Sequence, residues 1–293
     1  MRIDVHAHYY TPAFMDRMWG LGCTWQPSLQ ILNASDTTQQ RAENLAAGGV
    51  DLQVLSVGAN QPYLTETRNA VEGAVYANDF YGEAVAKNPG RYAAFGCVPL
   101  PHVGEAIAEA SRCLDVLGFL GINLGCSVAG SPLDDPEFFP FWQELDRRHA
   151  VVFLHPLGVA GMWTDAFNLS FNIGGRFEDT VAAVRLVHAG VTQRCPNVKI
   201  IVPHLGGTIP FLWRHGSSPL SDGLRRMYYD TVNQAPTSLR CACDTVGADR
   251  LMLGTDYPYN TPKECVDYVE HSGLKANVVK GILDRNAKEL LGL

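Results

Sequence analysis

Eight short apolar runs are spaced along the chain, at 3–5, 52–57, 93–99, 121–124, 151–154, 199–202, 227–230 and 251–253. Each is apolar or β-branched and is flanked by turn-forming or helical sequence, so each reads as a buried strand. Between them, apolar residues recur every three to four positions over 38–47, 67–88, 104–117, 136–149, 179–195, 208–215, 238–246 and 276–291, the spacing that lines one side of a helix. Stop chemistry ends several of these helices, at Gly48-Gly49, Asn88-Pro89-Gly90, Leu117-Gly118 and Cys195-Pro196. Strand and helix alternate from end to end, which predicts βαβ units and a parallel sheet. A count of eight predicts an α/β fold of the (β/α)8 TIM barrel type over residues 1–293. No internal repeat or Pro/Ser-rich linker divides the series, so one domain is expected. The connection 157–178 is longer than βα loops usually are and carries Trp163, Phe167 and Phe171. It is expected to wall or cover the active-site face.

Composition narrows the setting. A hydrophobic share of 46% with 18% charged residues suits a soluble, well-cored protein. A net charge of -7 without long runs of one sign argues against a nucleic-acid partner, which would want a basic face. No window reaches the roughly 18 apolar residues of a membrane span, and Asp4, His6 and His8 interrupt the segment where a signal peptide would be apolar. Eight cysteines without the dense spacing of secreted scaffolds suggest a reduced, cytoplasmic protein. The close pair Cys241 and Cys243 lies in helical sequence, where alternate residues face apart, so it makes a poor redox or zinc motif.

In a (β/α)8 barrel the segments that follow the strands build the site at one face, so residues closing strands carry the chemistry. His6 and His8 end the first strand two positions apart, and the pleat points both the same way. His155 closes the fifth strand, His204 the sixth and Asp256 the eighth. Imidazoles with one carboxylate suit zinc or a similar first-row ion and leave a position open for water or substrate. His102, His149, His188, His215 and His271 lack this context and read as surface or packing residues. No lysine closes the fourth strand in GINLGCSV, so a carbamylated-lysine bridge between two ions has no candidate and one ion is expected. The segment GCSVAG is out of register for a nucleophile elbow, and no phosphate-binding loop, GxGxxG or HExxH motif occurs.

The segments DVHAH, FLHP, PHLGG and GTDYP, in this order and closing with ILDRNAKELLGL, resemble the amidohydrolase-2 group of the amidohydrolase superfamily. The resemblance is greatest to aminocarboxymuconate-semialdehyde decarboxylase-like enzymes and spans essentially the whole chain. It implies one divalent ion, zinc or else manganese, held by His6, His8, His155 and Asp256, with His204 as acid/base beside the catalytic Asp256. The implied activity is non-oxidative decarboxylation of a small aromatic or muconate-like carboxylic acid; the same residues would also serve a mononuclear hydrolase of a lactone, ester or amide. A homodimer is implied, with the segment PFLWRH beside the site. Two substrate-binding arginines of the decarboxylases lack exact counterparts: the loop before the second strand offers only Arg41, inside a helix, and Arg214 stands one residue from the position that reaches the neighbouring subunit. Candidate substrate contacts are Trp163, Phe167 and Arg214. His204 is expected near its ordinary pKa of about 6.5, and Gly206 and Gly207 are expected to leave room for substrate.

Overall fold

The computed structural model describes residues 1–28, 31, 38–159, 166–212, 218–233 and 235–293. Eight strands, β1 (Ile3–His8), β2 (Leu52–Ser56), β3 (Tyr92–Gly96), β4 (Gly121–Gly125), β5 (Val151–His155), β6 (Lys199–Val202), β7 (Tyr228–Asp230) and β8 (Leu251–Met252), pair in parallel in chain order. The edges of this sheet meet where the Val5 N–H donates to the Leu253 carbonyl at 2.9 Å and Ala7 bridges Tyr257 in parallel. The sheet is therefore a nearly closed barrel with helices between its strands, as the alternation predicts.

Two apolar layers hold it. Inside the barrel, Val5, Val54, Phe95, Phe153, Ile201 and Met252 form one buried cluster, against which Leu290 and Leu291 of the last helix pack. A larger cluster fills the space between strands and helices, with Trp142, Tyr81, Phe14 and Phe141 fully buried. The helix Pro12–Leu21 shows how sequence drives this layer: Thr11 caps it by accepting the Phe14 N–H, and Phe14, Met15, Met18 and Leu21 are its buried face.

Element boundaries shift in ways with physical causes. β1 runs to His8, so the histidine pair lies within the strand; β3 stops at Gly96. The stretch 179–195 begins earlier, as Arg176–His188, and resumes as Val191–Arg194 after the left-handed Gly190. Ala276–Lys280 and Asn286–Leu291 are joined by a π-helical turn, Gly281–Arg285. Of 208–215, Ile209–Leu212 is helical, and 213–217 fall outside the described residues. Helices Pro12–Leu21, Pro219–Arg226 and Pro262–Glu270 occupy stretches that the periodicity leaves unassigned. No helix among the described residues is long and apolar enough to cross a membrane.

Candidate active site

The site begins with an irregularity in β1. Ile3 pairs with Leu52 and Asp4 with Gln53, but Ala7 pairs with Leu55, so three residue steps on β1 match two on β2. This bulge breaks the period-2 alternation: Val5 joins the interior cluster, and His6 also lies against the Phe153 ring, with centroids 4.8 Å apart. Asp4 staples the bulge. Its buried carboxylate accepts from the His6 N–H at 3.1 Å, the Thr255 N–H at 3.0 Å, the Thr255 hydroxyl at 2.6 Å and the Gln53 amide at 2.8 Å. Burial raises the Asp4 pKa to about 6, against the pull of those bonds.

Every imidazole of the site has its Nδ1 engaged. His8 Nδ1 donates to the Ser56 carbonyl at 3.1 Å and His155 Nδ1 to the Pro156 carbonyl at 2.8 Å. A carbonyl only accepts, so in each neutral ring the lone pair resides on Nε2. His6 Nδ1 bonds Asp230 Oδ2 at 2.6 Å, and His204 Nδ1 bonds Asp179 Oδ2 at 2.8 Å. Four Nε2 atoms are thereby presented to the barrel mouth.

Three of them converge with Asp256. His6 Nε2 lies 3.2 Å from His8 Nε2, and Asp256 Oδ1 lies 3.1 Å from the first and 3.0 Å from the second. With His155, the ligand atoms all fall within 4.8 Å of one another. His155 Nε2 is buried without a hydrogen-bond partner among the described residues. Such a gathering of lone pairs is repulsive unless a cation sits among them, and the donor set fits a divalent ion of the zinc or manganese kind. Protonation supplies the charge otherwise: burial works against it, but Asp230 and Asp256 raise His6 to about 10. Burial and the neighbouring imidazoles hold His155 well below its ordinary value, and burial lowers His8, so both stay neutral as ligands require. Burial opposes ionisation of Asp256, yet the histidines around it hold its carboxyl well below the usual range.

His204 stands beside this group, its ring centroid 5.4 Å from that of His6 and its Nε2 3.8 Å from Asp256 Oδ2. That Nε2 is also buried and unbonded among the described residues. Burial and the Arg176 charge oppose protonation, but Asp179 and Asp256 win and raise the pKa above the ordinary value, which corrects the expectation of an unperturbed histidine. His204, Leu205 and Asp256 all hold left-handed backbone, with φ of 55°, 58° and 57°. Non-glycine residues in that region are strained, and strain of this kind gathers at functional sites.

A cavity of about 590 Å³ opens above His8, His155, His204 and Asp256, walled by Tyr10, Trp25, Phe171 and Tyr259 and flanked by Arg176 and Asn172. The floor is polar, and the walls mix these four rings with polar side chains such as Gln26, Asn168 and Asn172, a lining that can take a small aromatic acid.

The amidohydrolase family profile matches residues 3–293. The chain belongs to this amidohydrolase family. It is 30% identical over 274 residues to the 2-amino-3-carboxymuconate-6-semialdehyde decarboxylase of Dictyostelium discoideum, covering 86% of this chain and 76% of that one. It is 28% identical over 325 residues to the gamma-resorcylate decarboxylase of Rhizobium sp., covering 100% and 98%. In fold it matches a dihydroxybenzoic acid decarboxylase from Polaromonas sp. JS666, solved with manganese and the inhibitor 2-nitroresorcinol, with a TM-score of 0.86, 24% identity and coverage of 100% and 97%.

In this amidohydrolase, His6, His8, His155, His204 and Asp256 come together as their strand-end positions imply. Trp163 and Arg214 lie outside the described residues. Phe167 does not line the cavity: it is 90% exposed, whereas Phe171, inside a π-helical turn at Ser170–Gly175, does. The described part of the connection 157–178 thus lines the cavity through Asn168 in a turn and through Phe171, Asn172 and Arg176 in helical backbone. Arg41 sits in the helix Thr38–Gly48, buried behind β1, donating to the His8 carbonyl at 2.8 Å and to Gln53 at 3.0 Å. It supports the site from outside the barrel and does not line the cavity. The two glycines after His204 also have a different role from the one expected. A Cβ at Gly206 would stand 2.8 Å from the Tyr229 ring, and one at Gly207 would stand 2.0 Å from the Arg176 carbonyl. They let the helix and β7 pack closely; they do not clear space for substrate. Sequence reasoning passed over Asp4, Asp179, Asp230 and Arg176.

Proposed function

We propose that this amidohydrolase is a metal-dependent, non-oxidative decarboxylase of a small aromatic or muconate-like carboxylic acid. The observation that carries it is the unbonded Nε2 of His204, buried beside a four-residue ligand set under a cavity that holds four aromatic rings. The decarboxylase names of its relatives support the same reading.

His6, His8, His155 and Asp256 hold the ion. Zinc suits three imidazole nitrogens and a carboxylate, and manganese in the Polaromonas enzyme makes it the alternative. A divalent ion bound there would act as a Lewis acid on a substrate oxygen. Tyr10, Trp25, Phe171 and Tyr259 offer the substrate ring apolar faces to lie against. As the carbon–carboxylate bond breaks, its electron pair stays on the substrate carbon and carbon dioxide departs. His204 Nε2 delivers a proton to that carbon. Asp179 fixes the ring so that Nε2 faces the cavity and stabilises its charged form. The exposed apolar residues Ile173, Phe177 and Val181, four positions apart along one helical face, support a homodimer. Eight unpaired cysteines suit a reducing, cytoplasmic setting.

The test is a screen of metal-loaded protein against aryl carboxylates for carbon dioxide release and against lactones for acid release. Carbon dioxide from at least one acid is expected. Lactone hydrolysis with no decarboxylation would replace this reading with a hydrolase. In the same assay, His204→Asn should keep its metal and lose about 10²–10⁴ in turnover, the scale of a general acid.

A further inference from the structure

Among the described residues that line the cavity, Arg176 is the one arginine or lysine. Its guanidinium makes no ion pair and no hydrogen bond among the described residues, unlike Arg41, which is bonded on the far side of β1. The Arg176 charge is felt by the buried Asp179 carboxylate, but no anion among the described residues bonds it directly, and a partly buried guanidinium with free donors can take one. Its backbone is held firmly: the Arg176 carbonyl accepts from the Thr180 hydroxyl at 2.8 Å and packs where a side chain at Gly207 would otherwise stand. The position of Arg176 relative to His204 is thereby set by backbone contact. The π-helical turn just before it, Ser170–Gly175, adds a residue to the helical repeat, a feature that often re-aims side chains at functional sites.

The cavity then has two positive points, the ligand set with its ion and Arg176. Two such points fit a substrate with two anionic oxygen groups. The group that leaves as carbon dioxide must surrender its negative charge to the ring in the transition state, and a guanidinium bonded to it would stabilise the ground state more and slow the reaction.

We propose that Arg176 binds a second anionic oxygen group of the substrate, a carboxylate or phenolate that stays on the product, and so selects diacids or hydroxy acids over singly charged analogues. This rests on the decarboxylase reading for the identity of the leaving group.

Calorimetric titration of metal-loaded protein with isophthalate and with 3-carbamoylbenzoate, its amide counterpart, reads the selection without turnover. The wild type should bind isophthalate about 10- to 100-fold more tightly, the range for a charge-assisted bond. Arg176→Gln should erase that preference while metal content and melting temperature hold; Arg176→Lys should keep part of it. A preference unchanged in Arg176→Gln overturns the proposal. For any acid that releases carbon dioxide, and at a pH well below the basic limb of kcat, where His204 is protonated with or without the Arg176 charge, Arg176→Gln should raise KM with kcat held, because the retained charge is the same in ground and transition states. If kcat rises together with KM, Arg176 contacts the departing carboxylate and the proposal fails. If no acid releases carbon dioxide while the Arg176-dependent preference stands, only the decarboxylase reading falls.

Discussion

With His204 in the proton-donor role proposed above, replacing Asp179 with asparagine isolates the part of turnover that depends on the charge of that histidine. The Asp179 carboxylate is fully buried and lies 2.8 Å from His204 Nδ1. Asparagine keeps an oxygen that accepts from Nδ1 and removes the charge. Asp179 and Asp256 are the groups that raise the His204 pKa against burial and Arg176. An ion bound at Asp256 takes up the charge of that carboxylate, leaving Asp179 as the principal support. A partnered histidine is protonated below its raised pKa and loses the proton as pH rises through it, so removing the partner moves the basic limb of kcat to lower pH. An opposite charge at hydrogen-bond distance shifts a pKa by about 1–3 units. At a pH above the variant's limb, kcat should therefore fall about 10- to 10³-fold, and it should recover toward wild type as pH is lowered. Metal content should not change, because Asp179 touches none of the four ligands. The assay is a pH profile of kcat on metal-loaded protein with elemental analysis of the same samples. A basic limb that stays in place or moves upward refutes the role given to Asp179. So does a loss of metal that parallels the loss of activity.

Asp230→Asn should weaken metal retention about 10- to 100-fold, the usual cost of removing an outer carboxylate from a ligating histidine, since Asp230 bonds His6 Nδ1 at 2.6 Å; competition with a chelator measures it, and wild-type retention would contradict the assignment. Gly58→Ala should empty the site, because its Cβ would stand 2.5 Å from the His8 ring at a φ of 55°; a metal-replete variant would show that His8 can yield. Glu178 has a pKa raised to about 7 by burial, partly offset by the Gly158 N–H it accepts at 2.6 Å. The folded state therefore favours its protonated form, and stability declines as pH rises from the ordinary carboxylate value through about 7. Glu178→Gln should melt higher than wild type at pH 8 and alike near pH 4, and equal melting at both would refute it.

The barrel and the ligand set were legible for one reason: both follow a rule of position. Alternating strand and helix patterns gave the fold, and residues closing strands gave His155, His204 and Asp256. Asp230 obeys the same rule, since it is the last residue of β7, and a stricter use of the rule would find it. Asp179 could not be found that way. It lies in the first turn of the helix Arg176–His188, where an acid is expected for its effect on the helix end, and nothing nearby in the chain marks its reach to His204. Helices Pro12–Leu21 and Pro262–Glu270 are announced by Thr11-Pro12 and by the capping box of Thr261 and Glu264, signals that lie in the caps and not in the periodicity.

The orientation of the first two ligands is the subtler case. On a regular strand Ile3 and Val5 face one way while His6 and His8 face the other. The barrel needs the first pair for its interior cluster and the second pair at its mouth, on the same side. The sequence therefore contains a conflict of phase between Val5 and His6, and an extra residue in β1 is the least costly way to resolve it. The structure resolves it there, with Asp4 binding the His6 N–H across the bulge. An acid two residues before a metal-binding HxH pair thus acts on the site through the backbone: by holding the bulge, Asp4 turns an apolar strand into one that delivers two imidazoles to the mouth of the barrel.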